Sequence, residues 1–266
     1  MHKSTMEART ETITTPLTAL LGIKNPIMLA GMNVAAGPEL AAAVTNAGGL
    51  GVIGGVFYTP EFLKKQIQNL KSHLADKDAP FGVDLLLPQV GGSARKTNVI
   101  FPYLYAFQLI LSLNTKYDYT EGKLPELIDI IIEEKAKLFV SAVGIPPDWV
   151  IDRLHKAGIP VMNMIGAPKV SSNYILHRFL IKQQHVRKCL SAGVDIICAQ
   201  GGEGGGHTGD VASSILIPKV VDLCKGARSS LTGGPIYVVA AGGIFDGRGL
   251  AAALTWGGKA KIRKKF

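Results

Sequence analysis

The sequence predicts a single-domain (β/α)8 barrel of the TIM type. Short, continuously apolar runs recur along the chain, as strands covered on both faces require. Each run leads into an amphipathic helical stretch, which is how parallel βα units read. The length of 266 residues suits one α/β barrel, and 31 glycines match many tight strand-to-helix turns.

In chain order, PIMLA (26–30) is the first strand and GPELAAAVTNAG its helix. LGVIGG (50–55) precedes PEFLKKQIQNLKSHL, and FGVDLLLP (81–88) precedes KLPELIDIIIEEKA after an interruption. LFVSAVG (138–144) leads into PPDWVIDRLHKAG, where prolines suit a helix start and glycine its end. PVMNMIG (160–166) precedes HVRKCLSAG after a second interruption, and DIICAQG (195–201) precedes a glycine-rich loop and SILIPKVVDLCKGA. IYVVAAGGI (236–244) is followed by DGRGLAAALTWGG. An open doubly wound sheet would place GxGxxG after its first strand, and AGMNVAAG does not fit that pattern.

These seven strands leave the barrel one short. The closing KIRKKF lacks an apolar strand, so the eighth βα unit is expected to be missing, with two strand edges exposed. The expected organisation is a flexible tail over 1–15, a barrel over 16–260 with insertions at 99–116 and 170–184, and an aberrant basic tail over 261–266.

The formal charge of +9 is concentrated in few places. Lys259, Lys261, Arg263, Lys264 and Lys265 crowd the last ten residues, and the insertions add Lys116, Arg178 and Lys182 without an acid. Removing these leaves the body at +1, which argues against nucleic-acid binding. Cys189, Cys198 and Cys224 have no CxxC spacing, so neither a disulfide framework nor a zinc site is expected. The polar N-terminus lacks the apolar stretch of a secretory signal, and the run at 99–113 is too short to span a membrane, so the sequence points to a cytoplasmic protein. A homo-oligomer is compatible with it.

Two turns carry chemistry. In AAGGI (240–244) a buried strand ends in two glycines ahead of a helix start, where backbone amides can approach a phosphate; an ordinary tight turn reads the same way. In AQGGEGGGHTGD (199–210), glycines at 201, 202, 204, 205 and 206 precede His207, which is placed at the barrel mouth as general base or cationic stabiliser. His2, His73, His155 and His177 are expected to be solvated, and Cys198 to pack in the core. Met28, Met32, Met162 and Met164 are candidates for an apolar pocket, although core packing explains Met28 and Met162 equally well.

Together, LAGMNVAAGPELAAAVTNAGGLGVIGG, DIICAQGGEGGGHTGD and YVVAAGGIFDGRGLAAAL resemble the nitronate monooxygenase family, formerly 2-nitropropane dioxygenases, and look nearest to its fungal members. The resemblance implies a TIM barrel holding FMN that oxidises alkyl nitronates with O2 to a carbonyl compound and nitrite, without reduced pyridine nucleotide. It implies that His207 receives the substrate proton or stabilises the nitronate. It also implies flavin contacts at Ala30, Gly31 and Met32, at Asp84 where many relatives have asparagine, and at Gln200 and Gly205. Gly242 and Gly243 match phosphate contacts.

The chain departs from that family at its end, where KIRKKF replaces an eighth strand closing in a glycine-threonine pair. Both insertions begin with Val, whose codons start GT, and end in Lys or Gln, whose codons can end AG; these are intron boundaries, and retained introns are expected over lineage-specific loops. The alternative functions are an NAD(P)H-dependent flavin reductase acting on enoyl thioesters or quinones, and an inactive, mis-spliced product.

Overall fold

A computed structural model describes residues 13–88, 96–98, 112–114, 118–165, 185–205 and 211–263, with backbone alone for 96–98, 112–114 and 260–263. In chain order the elements are α1 (Pro16–Leu21), β1 (Ile27–Leu29), α2 (Pro38–Asn46), β2 (Gly51–Gly54), α3 (Pro60–His73) and β3 (Phe81–Leu87). β4 (Lys96–Asn98), β5 (Ser112–Asn114), α4 (Leu124–Glu133), β6 (Leu138–Val143), α5 (Asp148–Lys156) and β7 (Val161–Ile165) follow. The last are α6 over 185–192, β8 (Ile196–Gln200), α7 (Ser213–Cys224), β9 (Tyr237–Ala241), α8 (Gly247–Thr255) and β10 (Ala260–Arg263).

Local signals explain the helices. In α3, Thr59 accepts from the Phe62 amide at 3.2 Å, Pro60 opens the first turn, and Leu63, Ile67 and Leu70 recur on one buried face.

Eight parallel strands run in the order β1-β10-β9-β8-β7-β6-β3-β2. The ring closes between β2 and β1 through the Met28–Leu50 bridge, with the Leu29 amide on the Leu50 carbonyl at 2.8 Å and the Leu50 amide on the Ile27 carbonyl at 2.9 Å. The seven strands read from the sequence all appear, six of them trimmed by a residue or two and the last, 236–244, shortened by four to Tyr237–Ala241. The expectation that the eighth unit is missing does not hold for its strand. β10 lies between β9 and β1, with Lys261 opposite both Ala240 and Ile27. A parallel ladder is made by backbone groups, so a basic stretch with a neighbour on each side can complete it without an apolar run. The insertion at 170–184 lies outside the described residues, as does that at 99–116 apart from β5, which pairs antiparallel with β4.

Alternate strand residues divide between two cores. Met28, Leu50, Leu138, Val140, Met162, Ile196, Cys198 and Val239 fill the barrel interior, and Val83, Leu85, Phe139, Val161, Ile197 and Val238 pack outward against the helices. α1, which the sequence reading passed over, closes the amino-terminal end of the barrel by placing Leu17 and Leu21 in the interior core, joined by Ile23 just after the helix. Its start follows from Thr15-Pro16: the Thr15 hydroxyl oxygen accepts from the Thr18 amide at 3.2 Å, the Thr18 hydroxyl oxygen accepts from the Thr15 amide at 2.9 Å, and the Thr15 hydroxyl donates to the Lys259 carbonyl at 2.8 Å.

At the same end, Asp195 is buried just before β8. One carboxylate oxygen accepts from the Val161 amide and meets His155 Nε2, each at 2.8 Å, and the other accepts from the Ser229 hydroxyl at 2.6 Å. His155 is thus a partner of a buried acid and not the solvated side chain expected, because the turn of α5 delivers it to the strand ends. Among the described residues no helix is long and apolar enough to cross a membrane, and no cluster of side chains fits a metal ion. All three cysteines are buried, and none is joined in a disulfide.

Candidate active site at the strand carboxyl ends

Inward-facing residues near the carboxyl ends of the strands include Ala30, Asp84 and Gln200, on the same sides of their strands as the interior-core residues Met28 and Cys198. All three are almost fully buried. Asp84 is an acid at a level where its neighbours are apolar, and its side chain lies directly against the backbone of Gly31. A Cβ on Gly31 would fall inside the Asp84 side chain, so the protein's own carboxylate requires this glycine. Met32 is partly buried and touches both cores.

The turn after β8 is tied down at several points. Gln200 Nε2 donates to the Gly205 carbonyl at 3.1 Å, the Gly204 amide to the Gly201 carbonyl at 3.1 Å, and the Gly202 amide to the Val211 carbonyl at 2.8 Å. The neck of the loop is therefore defined by hydrogen bonds on both sides. His207 lies outside the described residues.

The turn after β9 places Gly242 at φ +100° and Gly243 at φ +66°, left-handed backbone that glycine adopts without the Cβ penalty. Among the described residues, no hydrogen bond engages the amides of Gly243 and Ile244. Successive left-handed residues with open amides form a concavity suited to an anion. The helix starts beside these turns are differently disposed. Asp246 caps α8, accepting from the Arg248 amide at 3.0 Å and the Gly249 amide at 3.1 Å. The Arg248 side chain and these amides hold its carboxyl below the usual range. Glu203 caps α7, receiving the Ser213 amide at 3.0 Å and the Ser213 hydroxyl at 2.9 Å. An anion at this end thus finds both helix starts occupied by the protein's own carboxylates, and the open amides lie in the glycine turn instead. The sequence reading had no role for Glu203, Ser213 or Asp246. The available signal was α7 opening after Ala212, a residue with no capping oxygen, which leaves its first amides in need of a distant partner.

A third turn, after β6, holds Val143 at φ +69°, unusual for a β-branched residue. A buried polar cluster fixes it: the Ser141 hydroxyl donates to the Gly144 carbonyl at 2.5 Å, and Asn163 Nδ2 donates to the same carbonyl at 2.8 Å. Cys189 Sγ on α6 donates to Asn163 Oδ1 at 3.1 Å. Burial, reinforced by nearby Cys224, pushes the Cys189 thiol up to about 12, so it serves here as a neutral donor. Cys198 packs in the interior core as expected; of the methionines offered as pocket candidates, Met28 and Met162 take the core-packing alternative, and Met164 packs against that core partly buried.

Comparison with known proteins places this barrel. A family profile described as nitronate monooxygenase matches residues 14–262. The chain is 35% identical over 246 residues to (3aS,4S,5R,7aS)-5-hydroxy-7a-methyl-1-oxo-octahydro-1H-indene-4-carboxyl-CoA dehydrogenase of Rhodococcus jostii (strain RHA1), covering 92% of this chain and 52% of that protein. It is 32% identical over 264 residues to a probable nitronate monooxygenase of Staphylococcus saprophyticus subsp. saprophyticus (strain ATCC 15305), covering 92% of this chain and 65% of the relative. The structure of FabK from Thermotoga maritima superposes with a TM-score of 0.67 at 31% identity, over 94% of this chain and 61% of that one. The chain thus spans about half the length of the first of these relatives. With the profile running from the start of α1 into β10, the chain belongs to the nitronate monooxygenase family.

Proposed function

We propose that this chain binds FMN across the carboxyl ends of its strands and oxidises alkyl nitronates with O2 to a carbonyl compound and nitrite. The observation that carries this reading is the Gly242–Gly243 turn, whose left-handed backbone leaves the Gly243 and Ile244 amides open next to the turn that leads to His207. These amides would hold the FMN phosphate. Ala30, Gly31 and Met32 would lie along the ring system, with Asp84 and Gln200 facing it from β3 and β8. Bound there, FMN supplies a two-electron acceptor that reacts with O2. His207 takes the substrate proton or holds the nitronate's negative charge, work suited to an imidazole near neutral pH.

The test is the visible absorption spectrum of the purified chain, followed by nitrite release from a nitronate under air. His207→Asn is expected to keep the flavin spectrum and lower turnover by about 100-fold or more. Unchanged turnover would remove His207 from its role.

A second reading, an NAD(P)H-dependent flavin enzyme acting on a thioester, is favoured by the Rhodococcus relative, whose name specifies a carboxyl-CoA dehydrogenase. Anaerobic bleaching of the flavin by NADPH without nitronate would support it, and a flavin left oxidised by NADPH would exclude it. The third alternative, an inactive mis-spliced product, loses one of its two grounds, since β10 pairs on both sides; a purified chain that is monomeric with one cooperative melt would remove it.

A further inference from the structure

We propose that Glu203 is a positioning residue for the cofactor phosphate: through Ser213 its carboxylate braces the Gly242–Gly243 turn against the end of β8. The proposal rests on the reading that this turn receives the phosphate of FMN.

α7 cannot cap itself, because Ala212 carries no side-chain oxygen. Glu203, ten residues upstream, takes that place. Its two oxygens lie 3.1 and 3.0 Å from the Ser213 amide, and Oε2 lies 2.9 Å from the Ser213 hydroxyl. That hydroxyl oxygen also stands 3.0 Å from the Gly242 carbonyl and 3.4 Å from that of Ala241. The single Ser213 hydroxyl proton lies between two acceptors, Glu203 Oε2 and the Gly242 carbonyl, and links them as a shared, bifurcated donor at the α7 start. The Gly201 amide donates to the Ala241 carbonyl at 2.9 Å and joins the two turns directly.

Three glycines make room for this brace. A Cβ on Gly201 would collide with the Ser213 hydroxyl and stand 2.6 Å from Glu203 Oε2. On Gly242 it would lie 3.0 Å from the Ser213 hydroxyl oxygen, and on Gly243 2.9 Å from Glu203 Cβ. Side-chain packing as well as backbone conformation thus accounts for the glycines around the turn. A carboxylate suits the task because a charge-assisted hydrogen bond to a helix-start amide is stronger than a neutral one, and the helix dipole offsets the charge. The negative charge is thereby directed at α7 and kept from the open amides.

The experiment compares two flavins. Riboflavin has the FMN ring system and no phosphate, so a brace acting on the phosphate turn separates them. Affinities of the full chain for FMN and riboflavin would be measured by fluorescence quenching for wild type, Glu203→Ala, Glu203→Gln and Ser213→Ala. Glu203→Ala is expected to weaken FMN about tenfold while riboflavin stays within about twofold, with Glu203→Gln in between. Ser213→Ala removes the link but keeps the backbone amide for Glu203, and is expected to weaken FMN alone by a few-fold.

Equal weakening of both flavins would reduce Glu203 to general stability and overturn the proposal. Tighter FMN binding would show the carboxylate repelling the phosphate and overturn it equally. Hydrogen exchange of the flavin-free chain supplies an independent reading: the Gly201, Gly202 and Ser213 amides are expected to exchange about tenfold faster in Glu203→Gln, and unchanged exchange would refute the brace. If the wild-type chain binds neither flavin, the proposed function fails, and the exchange result still decides whether the brace exists.

Discussion

At the amino-terminal end of the strands the barrel is closed by side chains. Leu17 and Leu21 from α1 are fully buried in the interior, and Asp195 gathers a backbone amide, a serine hydroxyl and His155 around one carboxylate. At the carboxyl end the barrel is finished by glycine backbone, with left-handed φ at Gly242 and Gly243, and the Glu203 and Asp246 carboxylates there face helix starts and leave the Gly243 and Ile244 amides open among the described residues. Filling one end with side chains gives it stability and leaves no room for a ligand. Finishing the other with glycine backbone leaves donors free for one, and needs outside braces to hold the shape. Substitutions at the first end should therefore cost stability, and those at the second, ligand binding.

The largest expected effect tests the first half of that contrast. Asp195→Ala leaves the Val161 amide and the Ser229 hydroxyl buried without their acceptor, and should lower unfolding free energy by about 3–5 kcal/mol. Denaturant titration checks it, and FMN affinity per folded chain should hold constant. A loss of affinity without a loss of stability would reverse the roles assigned to the two ends.

Gly201→Ala probes the other end. The new methyl group must displace Ser213 or Glu203, at a cost of about 1–3 kcal/mol by overpacking. Bound flavin per chain should fall well below the wild-type ratio under conditions where circular dichroism still reports a folded barrel. Full flavin occupancy would mean that the turn tolerates loss of its brace.

pH separates the neutral thiol brace of the carboxyl end from the rest. Folding raises the Cys189 thiol to about 12 from an ordinary value near 9. Between these values the unfolded chain has lost this proton and the folded chain keeps it, so the contribution is complete below about pH 9 and declines as pH rises toward 12. The slope from this one group is at most about 1.4 kcal/mol per pH unit. Unfolding at a series of alkaline pH values should show a shallower decline for Cys189→Ala than for wild type, and equal slopes would contradict the shift.

The smallest effect returns to the amino-terminal end. Thr15→Ala removes the α1 cap and its bond to the Lys259 carbonyl, and should cost about 1 kcal/mol, seen as a small drop in melting temperature. No change would mean that the apolar faces of Leu17 and Leu21 alone hold the plug.

Much of this was legible in the chain. Strands covered on both faces must be continuously apolar, so β1, β2, β3 and β6 to β9 announced themselves, and prolines and glycines punctuated their helices. α1 escaped because six residues carry too little periodicity, although Thr15-Pro16 is a helix start in plain sight. β10 escaped for another reason: its place depends on the two strands beside it, which a local reading of AKIR does not contain.

The glycine-rich turns were also legible as turns. What the glycines serve was not. Gly31 reads as room for a ligand until Asp84, 53 positions further along the chain, is found against it. The same holds for Gly201 and Ser213, and for His155, whose helix looked solvent-facing until α5 brought it onto Asp195.

By itself the sequence determined the alternation of buried strand and amphipathic helix, hence a barrel, and the placing of glycine and acid at the strand carboxyl ends. Those follow from local chemistry: apolar periodicity, capping residues and left-handed backbone. Only the tertiary structure decided that the ring closes through β10, that Glu203 reaches α7, and that the amides of Gly243 and Ile244 stay open. The first is a pairing between strands far apart in the chain, the second a bond across ten residues, and the third the want of a partner among the described residues, and none of them is contained in local apolar periodicity or capping chemistry.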